Sequence, residues 1–295
     1  MKEHLLGLDL GGTSVKGVAI TREGEVLERF QEGFDDRQPG AFSAAVRSVA
    51  RLAEAELGRP ARIGLSAPGL AARDGRSIAY MPGRFEGLVG LVWAGHLGRD
   101  DEVPVLNDAH AALAGEVWLG AARGLTNVIL LTLGTGVGGA AMVDGRLLRG
   151  HSGKAGHLGH VSLDPAGAPD ITNVPGSLED VIGNHNIGER TGGRFATTHE
   201  LIRAVEAGDA AAVAIWERSL QALAAAIASF TNILDPEAVI VGGGIARAGE
   251  TLFGPLREWV SRFEWKVCGH EVRLLPAQLG EMAGAIGAAW NVRGP

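Results

Sequence analysis

Two stretches of this chain carry the same punctuation, and that punctuation limits the folds open to it. Residues 6–27 read LGLDLGGTSVKGVAITREGEVL and residues 129–148 read ILLTLGTGVGGAAMVDGRLL. Each runs strand, Gly-rich turn, strand, Gly-containing hairpin, strand. The likeness lies in spacing more than in residue identity, as in a diverged internal repeat. A glycine turn closing a strand exposes backbone N–H groups with no Cβ in front of them, which suits an anion. Two such turns could clamp a phosphate chain; two unrelated β-meanders are the plainer alternative.

The remaining signals predict alternating helices and strands. Alanine-rich Ala41–Leu57 reads as a helix stopped by Gly58 and Pro60, and 62–65 as a buried strand ending in Ser-Ala-Pro-Gly. A strand at 103–106 leads into a helix at 109–119. Further on, 200–207 and 211–233 read as helices, 238–246 as a strand breaking into three glycines, and 271–276 as a strand. Residues 282–290, MAGAIGAAW, form a helix with a face small enough for close packing. At 295 residues, two lobes are expected. The division predicted is 1–108 as a small α/β lobe, with a helix over 281–295 packing back on it, and 109–280 as a large α/β lobe.

Composition excludes several functions. A net charge of −7 argues against a nucleic-acid surface. The single cysteine, Cys268, rules out disulfides within the chain and a structural zinc held by several thiolates. No apolar run reads as a membrane span, and the first residues do not read as a signal peptide, so a cytoplasmic location is expected.

The glycine turns carry the chemistry. In the first, Gly11 and Gly12 offer amides, Thr13 a hydroxyl, Lys16 a positive charge, and Asp9 a carboxylate that could hold a water of Mg²⁺. The spacing is not that of a Walker loop, and a strand rather than a helix follows. The second turn offers Gly134, Thr135, Gly136 and Gly138. Gly243 and Gly244, in the third, could let an adenosine lie against the backbone. Asn107 and Asp108 stand between a strand and a helix. Asp108 could be a helix cap, or a base taking the proton of a substrate hydroxyl that attacks a γ-phosphate. With three glycine turns in the chain, the base is the better reading, and Asn107 then orients the substrate.

These motifs, together with AGHLGH at 155–160 and PGSLED at 175–180, resemble in order and spacing the ROK (repressor, open reading frame, kinase) family of sugar kinases. The resemblance spans nearly the whole chain. It implies the α/β actin-like ATPase fold (ribonuclease H-like), with two lobes around a central cleft, and use of ATP and Mg²⁺. It implies transfer to a hexose, glucose first, or to an N-acetylhexosamine, in a homodimer with no nucleic-acid or membrane partner. Asp108 is then the catalytic base, Asn107, His160, Glu179 and Gly69 line the sugar, and the glycine turns hold the nucleotide. A repressor of this family would need a DNA-binding segment ahead of Gly11, for which there is no room; a non-catalytic sugar sensor is the other alternative.

Two positions depart from the family. Its zinc is held by the histidine matching His160 and three cysteines; here the segment reads DPAGAPDITNVPGSLED, with Ser177 at the last cysteine. No structural zinc is therefore expected, and Pro165, Pro169 and Pro175 could stiffen the loop instead. A substitute set drawn from His151, His157, His160 and His185 has no fixed spacing to support it. His157 stands where the family has a glutamate, so it enters the expected sugar site with different hydrogen-bonding capacity.

Overall fold

The computed structural model describes residues 3–294. The chain divides into two compact units: 1–124 with 147–155 and 278–295, and 125–146 with 156–277.

The first unit is built on a five-stranded sheet, ordered Val26–Gly33, Ser14–Ile20, Leu5–Leu10, Arg62–Ala67, Val105–Asn107. The first three strands form an antiparallel meander, and the last two continue in parallel. Leu5–Leu10 pairs on both edges and is buried almost throughout, as a continuous apolar run requires. One face carries Ala41–Leu57, whose Phe42, Val46 and Val49 join Leu8, Leu65 and Trp93 in a core.

Against the strands Leu5–Leu10 and Arg62–Ala67 lies the C-terminal helix Ala283–Trp290, with the helix Asp108–Leu119 packed on it. Its small residues allow near contact of backbones: a Cβ on Gly287 would fall 1.7 Å from the Ala111 carbonyl oxygen. This contact places Asp108–Leu119 in the first unit, whereas a boundary at residue 108 would have assigned it to the second.

The second unit repeats the design. Its sheet runs Arg146–Leu147, Val137–Val143, Val128–Leu133, Ala238–Gly242, Arg273–Pro276, again a meander followed by parallel strands. The repeat read from punctuation is therefore a repeat of topology. The second strand starts at Val137, so Gly138, expected in the turn, lies inside the strand together with Gly139. The strand Ala238–Gly242 ends earlier than the expected 246, because Gly243 turns into left-handed backbone at φ 87°.

The helix Ala210–Leu234 is, among the described residues, the one helix apolar and long enough to cross a membrane by length and composition, which the sequence reading did not register. Its buried side (Trp216, Leu220, Leu223, Ile227) packs on Glu250–Phe263, the environment of a core helix. That second helix, for which the sequence analysis gives no element, carries Pro255 in its interior. Pro255 has no N–H, which leaves the Thr251 carbonyl without its usual intrahelical donor. The indole Nε1 of Trp216 donates to that carbonyl at 3.0 Å and makes up the loss.

Candidate active site

In the first unit the predicted residues gather at the carboxyl ends of its three parallel strands, where α/β sheets commonly bind ligands. Asp9, Ser66 and Asn107 stand in near register on neighbouring strands. Ser66 donates Oγ to Asp9 Oδ1 at 2.6 Å. Burial, with the Asp108 carboxylate adding to it, pushes the Asp9 carboxyl up to about 6, while the Ser66 hydroxyl and Lys16 oppose the shift. A Cβ on Gly284 would lie 2.5 Å from the same carboxylate, so the C-terminal helix presses on Asp9 directly.

The turn at 11–13 is held by Gly11 N–H donating to Ser14 O and Phe34 N–H donating to Thr13 O. Lys16, expected near phosphate, pairs with Glu281 at 3.2 Å. Arg84, which the sequence reading missed, donates Nη2 to the Gly12 carbonyl at 2.9 Å and pairs with Asp36. It brings a second cation to the turn, from a loop with no motif to advertise it.

Asn107, not Asp108, caps the helix Asp108–Leu119. Its backbone is extended (φ −61°, ψ 150°), and its Oδ1 accepts from Ala109 N at 3.0 Å and His110 N at 3.3 Å. Its Nδ2 donates to the Gly69 carbonyl at 2.9 Å and to Asp108 Oδ1 at 2.8 Å. That uses both donors and both lone pairs of the amide inside the protein. Asn107, expected as a sugar ligand, thus ties Asp108, the Gly69 carbonyl and the first turn of the helix together. Gly69, likewise expected at the sugar, contributes the carbonyl that anchors Asn107. Asp108 is exposed, and its Oδ1 also accepts from Ala109 N at 2.8 Å.

In the second unit the turn at 134–136 folds over its own backbone, Gly134 N–H donating to Gly136 O at 2.9 Å. The Gly134 and Thr135 carbonyls accept from the N–H groups of Asn184 and His185. His185 also bonds Thr135 O through Nδ1 at 3.0 Å and Asp180 through Nε2 at 2.9 Å. Glu179, in the first turn of Leu178–Ile182, accepts from Val137 N at 2.9 Å. A Cβ at Gly136 would sit 2.1 Å from its Oε2, so only glycine leaves room for this carboxylate. Gly243 closes on the end of Val128–Leu133, and Gly244 follows it into a short helical turn.

His157 precedes the turn Leu158–His160 and His160 ends it. That turn lies flat on Val137–Val143, with the Cβ position of Gly159 only 1.9 Å from Val137 O. His160 Nδ1 meets Asp170 Oδ2 at 2.8 Å. The second unit thus brings His157, His160, Glu179 and the 134–136 turn to one strand. Its large cavity of about 570 Å³, bordered by Asn127, Asp235, Glu237, Trp265 and His270, contains none of them.

The ROK family model matches residues 5–294. The chain belongs to the ROK family. A glucokinase of Thermotoga maritima is 32% identical over 309 residues, covering 98% of this chain and 96% of that protein. The ROK hexokinase of Thermus thermophilus superposes with a TM-score of 0.86 at 32% identity, covering 97% of each chain. A ROK family glucokinase of Streptomyces griseus, solved in complex with glucose and AMPPNP, superposes with a TM-score of 0.78 at 26% identity, covering 99% of this chain and all of that one. The fold shared with them is the actin-like ATPase fold.

Proposed function

We propose that this protein phosphorylates a hexose, glucose first, at its primary 6-hydroxyl, with Asp108 as the general base, and that it acts as a cytoplasmic homodimer. Family, fold and relatives agree that the chain is an ATP-dependent sugar kinase. The observation that carries the assignment of the base is the setting of Asp108. It is an exposed carboxylate at a helix N-terminus, held at Oδ1 by Asn107 Nδ2 and by a backbone N–H, beside a second carboxylate, Asp9.

In the first unit, Asp108 takes the proton of the sugar hydroxyl as its oxygen attacks the γ-phosphorus and the bond to ADP breaks. The Asp9 environment fits a hydrated Mg²⁺: a carboxylate at a strand end whose negative charge is costly until a cation faces it. The ion would draw charge from the phosphates as the bond breaks. For the phosphates we assign the Gly12 and Thr13 amides with Arg84 at the same turn, and Lys16 opposite Asp9 on the neighbouring strand. In the second unit, the 134–136 turn with Gly243 and Gly244 serves the nucleotide, and His157, His160 and Glu179 serve the sugar.

His157 supports a second acceptor, an N-acetylhexosamine. An imidazole can donate as well as accept where a glutamate only accepts, which changes the groups it can pair with. A coupled ADP-release assay across hexoses and N-acetylhexosamines, run beside Asp108→Ala, tests both readings. Expected is turnover on one class, cut about 10²–10⁴-fold in the variant. A variant with near-normal turnover refutes the base.

A further inference from the structure

The loop over 161–177 is the segment in which the family resemblance places zinc, and its residues here do not fit that ion. The one cysteine, Cys268, lies outside it, and among the described residues no three His, Cys, Asp or Glu side chains converge as a metal set. The loop closes on itself with hydrogen bonds instead. Leu163 N–H donates to Gly176 O at 2.8 Å, Gly176 N–H to Ala168 O at 2.8 Å, and Ser162 Oγ to Pro175 O at 2.7 Å.

At its centre is Asp170, whose side chain is 0% exposed. Oδ1 accepts from Thr172 N at 2.7 Å, Thr172 Oγ1 at 2.8 Å and Val174 N at 3.0 Å. Oδ2 meets Nδ1 of His160 at 2.8 Å. Burial alone would raise this carboxyl; the donors from His160, Val174 and Thr172 outweigh it and hold the group well below the usual carboxylate range. A carboxylate only accepts, so Nδ1 carries the hydrogen. In the neutral ring Nε2 is then left with a lone pair. A metal on Nδ1 would do the reverse, leaving Nε2 its hydrogen and making it a donor.

We propose that Asp170 takes the place of a structural metal in this loop: it cross-links 170–174 to the Leu158–His160 turn and fixes His160 with Nε2 as an acceptor toward the sugar. Asp170 is therefore a positioning residue, and the sugar group facing His160 must donate. The last step rests on the reading of His160 as a sugar ligand; the cross-link and the tautomer do not.

The test compares the intact protein with Asp170→Asn and Asp170→Ala. Asparagine can keep Oδ1 on its three donors, and its amide then faces Nδ1, which must accept; the hydrogen moves to Nε2. Expected for the wild type is less than 0.1 equivalent (about) of bound zinc, a Tm unmoved by EDTA, and an imidazole protonated on Nδ1 alone in long-range ¹H–¹⁵N spectra at pH 8.5. In Asp170→Asn the hydrogen appears on Nε2, and the sugar KM rises about tenfold or more with the ATP KM unchanged. Asp170→Ala lowers Tm. Stoichiometric zinc, a Tm that falls with chelator, a wild-type ring carrying hydrogen on Nε2, or an Asp170→Asn ring identical to the wild type overturns the proposal. Metal content and tautomer are read without turnover. A chain that phosphorylates no sugar would sink the kinase assignment and leave this one to be decided by the spectra.

Discussion

Asp9 makes the protein without nucleotide less stable than it could be, and the cost follows from its surroundings. Its carboxyl titrates near 6 in the folded chain against an ordinary 3.8. Because the folded value is the higher one, the folded state prefers the protonated form. Below pH 3.8 the group has no effect on stability; the penalty grows as pH rises toward 6 and is constant above it. A shift of about 2 units at about 1.4 kcal/mol each puts the penalty near 2–3 kcal/mol at pH 8. Asp9→Asn removes the charge and keeps an oxygen for the Ser66 hydroxyl. Urea unfolding of both proteins in EDTA, from pH 4 to pH 8, isolates the charge as a difference. The variant should gain about 2–3 kcal/mol relative to wild type across that range, mostly between pH 4 and 6, while losing Mg²⁺-dependent turnover. A difference independent of pH, or one that shrinks as pH rises, refutes the reasoning.

Two further outcomes test the scaffolding. Asn107→Ala should cost about 1 kcal/mol through the lost helix cap and lower turnover by releasing Asp108, whereas Asn107→Asp should keep the cap and still lose activity because both amide donors are gone; thermal melts beside turnover distinguish them, and an Asn107→Ala enzyme with normal turnover removes the aiming role. Gly136→Ala should push Glu179 off Val137 N, at about 1.5–3 kcal/mol for a hydrogen bond to a charged group, and raise the sugar KM about tenfold or more in a folded protein; an unchanged KM refutes the placement of Glu179 at the sugar.

The strands and the glycine turns were legible because each is a local event. Leu5–Leu10 and Val128–Leu133 are apolar runs stopped by glycine, and the Asp144–Gly145 hairpin needs the positive φ that both residues adopt. The small face of Ala283–Trp290 announced close packing but could not name its partners. Other features depend on contacts remote in sequence. Asn107 and Asp108 are both good capping residues, and only the extended backbone at Asn107 separates their roles. Glu250–Phe263 survives Pro255 because Trp216, some forty residues away, supplies a donor. Arg84 reaches the Gly12 turn across 72 positions, and no spacing rule anticipates that.

The segment without its cysteines carries the sharpest lesson, because losing a motif need not lose its geometry. A metal bound to a histidine and to a residue near the next helix would tie two points together. Here each point has a local substitute. At the first, Asp170 holds the His160 ring while its other oxygen gathers the loop backbone. At the second, Ser177 stands at the expected last cysteine. It is buried and caps Leu178–Ile182, its hydroxyl accepting from Asp180 N, so the helix that presents Glu179 starts where it must. The two ends are also joined without a ligand: Leu178 N–H donates to Val161 O at 3.0 Å, directly after the His160 turn. The segments that carry His160 and Glu179 are therefore joined to each other by hydrogen bonds that need no metal, and Glu179 is held on Val137 besides. On the proposed reading of His160 as a sugar ligand, what changes is the polarity of its free ring edge, and that polarity decides which sugar group can face it.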